Sequence, residues 1–112
     1  MRIESYRFGE IIIDGKRYTS DVLILPDRVL SWWRKQGHAV TVADLAEAVA
    51  ARPEMIILGT GAYGVVRVAP EVEKFLAAKG IQLIVAPTGE ACQKYNVFAG
   101  KHRVVAGLHL TC

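Results

Sequence analysis

Short apolar runs alternate with turn residues along this chain, and the spacing inside each run separates strands from helices. Glu10 to Ile13 and Lys16 to Tyr18 flank Asp14-Gly15, a pair that readily supplies the positive φ angles of a tight hairpin turn. Val22 to Leu25 is a buried strand stopped by Pro26. Pro26 to His38 fits either one turn of helix or a loop over the core, with Val29, Leu30, Trp32 and Trp33 as its apolar positions. Thr41 and Asp44 form a helix start in which the hydroxyl accepts from an unpaired amide, and Val42, Leu45, Ala46 and Val49 follow at helical spacing. Pro53 ends that helix near Arg52.

Met55 to Leu58 reads as a strand ending in Gly59, and Val65 to Val68 is extended in character. Pro70 opens a second helix whose stripe is Val72, Phe75 and Leu76, with Glu71 and Glu73 early, Lys74 and Lys79 later, and Gly80 as its stop. Ile81 to Val85 is another strand. Thr88 is the expected N-cap of a third helix, with Ala91, Tyr95 and Phe98 on one side and Gly100 at its close. Val104 to Leu110 completes the sheet. The pattern predicts a single α/β domain over residues 1–112, a mixed β-sheet with an N-terminal β-hairpin and flanking helices.

Composition narrows the function classes. The 112 residues are 52% hydrophobic, enough to fill one core. The net charge of +3 comes from 14 basic and 11 acidic side chains spread along the chain, not gathered on one face, which argues against a nucleic-acid partner. No apolar run approaches the ~20 residues of a membrane span, and Met1 to Arg7 lacks the apolar stretch of an export signal. Cys92 and Cys112 make neither a disulfide framework nor a metal pair, so reduced thiols and a cytoplasmic location are expected.

Gly59-Thr60-Gly61-Ala62-Tyr63-Gly64 matches the dinucleotide-binding spacing G-x-G-x-x-G after a strand. The rest of that motif's context is missing. Val65 to Val68 intervenes before the helix, Glu71 and Glu73 occupy the helix end that a pyrophosphate would need, and Pro87-Thr88 stands where a ribose-binding acid should follow the next strand. The glycines therefore read as a structural turn. Cys92 sits about one turn into the third helix, opposed by Glu90 and without a second cysteine nearby, and reads as a buried inert thiol. His38, His102 and His109 lack the spacing of a zinc motif, and neither metal nor cofactor is expected. In the last strand His109 should face away from Leu108 and Leu110.

Taken together, Trp33-Arg34 with Gly37-His38, Ile57 to Gly61, Thr88 with Ala91, Tyr95 and Asn96, and the ending Gly107 to Cys112 give a wider resemblance. Over nearly its whole length the chain resembles the small, widespread family that includes the mitochondrial complex I assembly factor 3 and the adipogenesis-associated domain protein. That resemblance implies a three-layer α/β fold, no established enzymatic activity for most members, and an assembly role for the mitochondrial one. Met1 to Arg7 does not read as a presequence, so the mitochondrial location and the complex I role are not expected to carry over directly.

Two functional expectations follow. The first is a non-enzymatic protein-interaction or assembly factor using Trp32, Trp33, Arg34 and His38, because aromatic and arginine clusters dominate protein interfaces. Its partner would be another protein, a second copy of the chain included. The alternative is a small-molecule binding module or cryptic enzyme, with a cleft between the Gly59 to Gly64 turn and the start of the third helix. Its polar groups would be Thr60, Tyr63, Thr88, Glu90, Tyr95 and Asn96. No catalytic residues are assigned in either case.

Overall fold

The computed structural model describes residues 1–112. The chain begins with three antiparallel strands, β1 (Ile3–Arg7), β2 (Glu10–Ile13) and β3 (Lys16–Tyr18). The turn between β2 and β3 has φ of 49° at Asp14 and 79° at Gly15, and two positive φ values in a row let a two-residue turn follow the right-handed twist of its strands. β1 carries little sequence signal because only Ile3 is buried and Tyr6 half-buried, while Glu4 and Ser5 face solvent. These strands form a sheet of their own, so the expected single sheet gives way to a meander beside a larger one. The Gly9 amide, 2.8 Å from the Leu110 carbonyl, ties the two together.

Within the segment after Pro26, Val29–Ser31 is a strand, and residues 32–38 form the loop, with Trp32 folded onto the core. β4 (Val22–Ile24) and β5 (Val29–Ser31) pair antiparallel, and the Leu25 amide donates to the Arg28 carbonyl at 2.8 Å across a turn of Pro26 and Asp27. Proline's fixed φ suits that position of a turn. After β6 (Ala39–Val40), a 3-10 turn (Val42–Leu45) leads into α1 (Ala46–Ala50). At its start the Thr41 amide and hydroxyl both donate to the Asp44 carboxylate, at 2.8 and 3.0 Å, and the Asp44 amide faces the Thr41 side chain in return, which makes the expected capping box. Arg52, at φ 53°, breaks the chain before Pro53.

The remaining elements are β7 (Met55–Thr60), β8 (Arg67–Val68), α2 (Pro70–Ala78), β9 (Gln82–Ala86), α3 (Thr88–Phe98) and β10 (Val104–His109). The central sheet has the order β5-β4-β10-β7-β9, and a two-stranded sheet joins β6 to β8. β10 runs parallel to β7, with Ala106 opposite Ile57, and antiparallel to β4, with Gly107 opposite Leu23. Every residue of β7 and β10 is buried, as strands covered on both faces must be.

Alternation sorts the side chains into two cores. Ile57, Ala106, Leu108 and Leu110 meet α3 through Ala91, Cys92 and Tyr95, and meet the meander through Ile3, Ile11 and Ile13. On the other face Ile56, Leu58 and Val105 pack against Leu45, Ala48, Val72, Leu76 and Trp32. The fold is thus three layers: α3 with the meander, the mixed sheet, and α1 with α2. Each fully buried Leu or Ile contributes about 1.5–3 kcal/mol relative to an exposed one, so both faces are needed to hold a domain of this size. No helix is long and apolar enough to cross a membrane.

Candidate functional site

The glycine segment ends β7 and turns without starting a helix. Gly61 has φ of 102° and Gly64 of 69°, and the Val66 amide returns to the Thr60 carbonyl at 3.0 Å before β8. Close packing explains the first two glycines. A Cβ on Gly59 would stand 2.8 Å from Leu108 Cδ2 and 2.9 Å from the Thr88 hydroxyl, and one on Gly61 would stand 2.7 Å from the Cys112 carbonyl. Helix α2 begins only at Pro70, so the amides of the turn do not converge on a phosphate.

The six residues assigned to a cleft at this turn are distributed over separate roles. The Thr60 hydroxyl donates to the Ala86 carbonyl at 3.1 Å. Thr88 is not an N-cap: Pro87 precedes the helix in that position, and the buried Thr88 hydroxyl accepts the Gly61 amide at 2.8 Å and donates to the His109 carbonyl at 2.6 Å. Tyr95 is buried in the core, where desolvation first and the Asp14 charge second push its phenol up to about 12. The Asn96 amide grips both backbone groups of Ile3, at 2.9 and 2.7 Å, and so fastens α3 to β1. Glu90 is exposed beside Lys94, and Tyr63 is exposed with its ring 6.3 Å from that of Phe8.

Of the other four assigned residues, Trp32, Trp33 and Arg34 line a cleft of about 380 Å³ together with Asp21, His109 and Thr111, and His38 stands beside it. Trp32 turns inward, with its indole N–H donating to the Asp44 carbonyl at 3.1 Å, while Trp33 stands 86% exposed. The Arg34 side chain is only 4% exposed and its guanidinium lies 4.6 Å over the Trp32 ring. Its Nη2 reaches Asp21 Oδ2 at 2.9 Å and the Gly37 carbonyl at 2.6 Å, and lies 3.1 Å from His109 Nδ1. His38 is exposed, with its ring edge-on to that of His109 at 5.7 Å.

Asp21 organises this cluster, and the sequence reading did not single it out. Its Oδ2 is 2.6 Å from His109 Nδ1 and its Oδ1 accepts the Leu110 amide at 2.9 Å. Burial pushes the Asp21 carboxyl up, but the His109 ring, the Leu110 amide and the Arg34 guanidinium outweigh it and hold the group below its ordinary value. The available signal was a lone acid heading the apolar run Val22 to Leu25 and a lone imidazole inside an apolar strand, two groups that each need a polar partner when buried. His109 does face away from Leu108 and Leu110, which lie in the α3 core.

Arg34 keeps unused capacity. Its Nε and Nη1 are buried and have no hydrogen-bond partner, a state that costs about 1–3 kcal/mol per unsatisfied group and is uncommon in folded proteins. His109 Nε2 also lies 3.3 Å from the Thr111 hydroxyl, which gives a row of acid, imidazole and hydroxyl. Arg34 shares the Asp21 oxygen that the imidazole uses, so the acid of this row is also the counter-ion of a buried guanidinium.

Comparison with known proteins gives a consistent set of likenesses. The model of a family described as protein of unknown function (DUF498/DUF598) matches residues 3–109. The NADH dehydrogenase [ubiquinone] 1 alpha subcomplex assembly factor 3 of Xenopus tropicalis is 28% identical over 108 residues, 95% of this chain and 58% of that protein. The Bos taurus protein of the same name is 27% identical over 106 residues, 93% of this chain and 57% of its own length. The chain therefore spans little more than half of these relatives. Among solved structures, a conserved hypothetical protein of Pyrococcus horikoshii OT3 is 30% identical with a TM-score of 0.92, covering 100% of both chains. A Bordetella parapertussis protein is 28% identical with a TM-score of 0.82, over 97% of this chain and 94% of the other.

Proposed function

Since this chain belongs to the family described as protein of unknown function (DUF498/DUF598), we propose that it is a non-enzymatic assembly factor that acts by holding another protein, with Trp33 as the main contact. The observation that carries the reading is the contrast between adjacent residues: Trp32 is fixed in the core and Trp33 is 86% exposed. An indole held in water on a braced segment is the kind of anchor that dominates binding energy once a partner covers it. His38, exposed on the same segment, extends the contact. Two vertebrate relatives named as assembly factors support an assembly role for this chain, and the complex it serves is left to experiment. The two free cysteines suit a reducing compartment such as the cytoplasm.

Crosslinking and co-purification from the native cell test this reading, with wild type compared against Trp33→Ala and His38→Ala. The expected result is one specific partner recovered with wild type and lost with Trp33→Ala, while the variant keeps its native circular dichroism. Size-exclusion chromatography identifies a second copy as that partner. Undiminished recovery with Trp33→Ala, or no specific partner at all, removes the proposal's support.

A further inference from the structure

We propose that a second copy of this chain pairs with the free edge of β9, antiparallel about Ile84, so that two central sheets join into one. The inference does not depend on the Trp33 reading, because β5, from which Trp33 follows, closes the opposite end of that sheet. β9 has only β7 beside it. The Gln82 amide donates to the Glu54 carbonyl at 3.0 Å on the β7 side, and backbone groups alternate in direction along a strand. The amides and carbonyls of Leu83 and Val85 therefore point away from β7, to the open edge. The side chains there are also incompletely covered: Leu83 and Ile84 are half-buried on opposite faces of the sheet, and Val85 is 44% exposed.

The other edges of the two larger sheets carry the devices that keep strands from pairing with a neighbour. β3 presents Lys16 and Arg17, β1 carries Glu4, Arg7 and a register shift after Ile3, and β5 stops after 3 residues. β9 has none of these, since Gln82-Leu83-Ile84-Val85-Ala86 contains no charge and no proline and its register with β7 is regular. The edge is also its own complement. With Ile84 facing Ile84 of the second copy, Leu83 lies opposite the second copy's Val85 and exchanges both N–H···O bonds with it, and the side chains brought together are aliphatic. Lys79 precedes β9 and Glu90 follows it, both exposed, so antiparallel pairing sets the basic end of each strand toward the acidic end of the other. A strand of unrelated sequence would satisfy the backbone but not this charge order, which selects a second copy.

Sedimentation of the whole chain between about 1 μM and 1 mM, with amide hydrogen exchange measured at both ends of that range, tests the pairing. The mass should rise from that of one chain toward that of two, and the Leu83 and Val85 amides should become protected as it rises. Val85→Lys puts a charge at an exposed edge position and should weaken dimerisation about tenfold or more while circular dichroism stays native. Trp33→Ala should leave the dimer intact, which separates this interface from the one proposed for a partner protein. The exchange measurement needs only wild-type chain, so it decides the matter if Val85→Lys does not fold. A monomer at every concentration, a dimer whose Leu83 and Val85 amides stay unprotected, or a dimer that survives Val85→Lys overturns the proposal. Protection that appears only when a cell extract is added overturns it too, and points to a strand from another protein.

Discussion

The indole of Trp32 occupies the space in which a side chain on Gly107 would begin, with ring carbon Cη2 2.8 Å from the position of a Cβ there. The ring cannot slide away, because its N–H is bonded to the Asp44 carbonyl and the Arg34 guanidinium lies over its face. Gly107→Ala should therefore destabilise the domain by about 1–3 kcal/mol, the usual cost of overpacking, as read from urea unfolding. A variant within about 0.5 kcal/mol of wild type would show that the ring has room to retreat.

The Thr88 hydroxyl joins three parts of the molecule, since it takes the Gly61 amide and gives its proton to the His109 carbonyl from a side chain with no exposure. Thr88→Val keeps the shape and orphans both groups, so each should cost about 1–3 kcal/mol. Thr88→Ser keeps both bonds and loses one methyl group, about 1 kcal/mol. Denaturant titration of the two variants distinguishes them, and equal losses would mean that the methyl group matters more than the bonds.

Asp21 gives the stability of the fold an acid limb. Its carboxyl lies below the ordinary 3.8 in the folded protein, so in acid the unfolded chain binds more protons than the native one. The stability it contributes is complete above its unfolded value and is lost as pH falls through the lower folded value. Asp21→Asn should flatten the decline in stability below about pH 4, as followed by thermal unfolding at several pH values. Glu10 and Glu54 are shifted in the same direction, Glu10 mainly by Arg17 and Glu54 mainly by the Arg103 amide, and they should leave a residual slope. An unchanged profile in Asp21→Asn would separate Asp21 from acid unfolding.

The two thiols should differ in reactivity. Desolvation pushes the Cys92 thiol up to about 12, whereas Cys112 is exposed. A thiol-reactive dye added to native protein should label Cys112 promptly and Cys92 only after denaturation. Prompt labelling of both would mean that α3 opens readily.

Local chemistry was the legible part of this sequence. Asp14-Gly15 and Pro70 announced a turn and a helix start because their backbone preferences act on the residues beside them. The β4–β5 hairpin was missed because Pro26 reads equally as the end of a strand and as the corner of a turn, and only pairing across the turn decides between them. The meander's separation from the main sheet was hidden for the same reason, since no residue within it records which neighbours it lacks.

The cluster around Arg34 was harder still. His109 lies 88 residues from Asp21 and 75 from Arg34, so no spacing could connect them until the strands had been ordered. The aromatic and arginine run did draw notice as one surface. Its division into an inward Trp32 and an outward Trp33 depends on the Gly107 hollow, which belongs to a strand at the other end of the sequence.

The placement of β10 between β4 and β7 sets a schedule for folding. During synthesis the β4–β5 hairpin and the β7–β9 pair are made well before the strand that must lie between them, so the two halves of the sheet have nothing to hold them in register until residues 104–109 emerge. Until then the flanks of β4 and β7 remain open edges in the nascent chain, and β10 acts as the keystone that closes them.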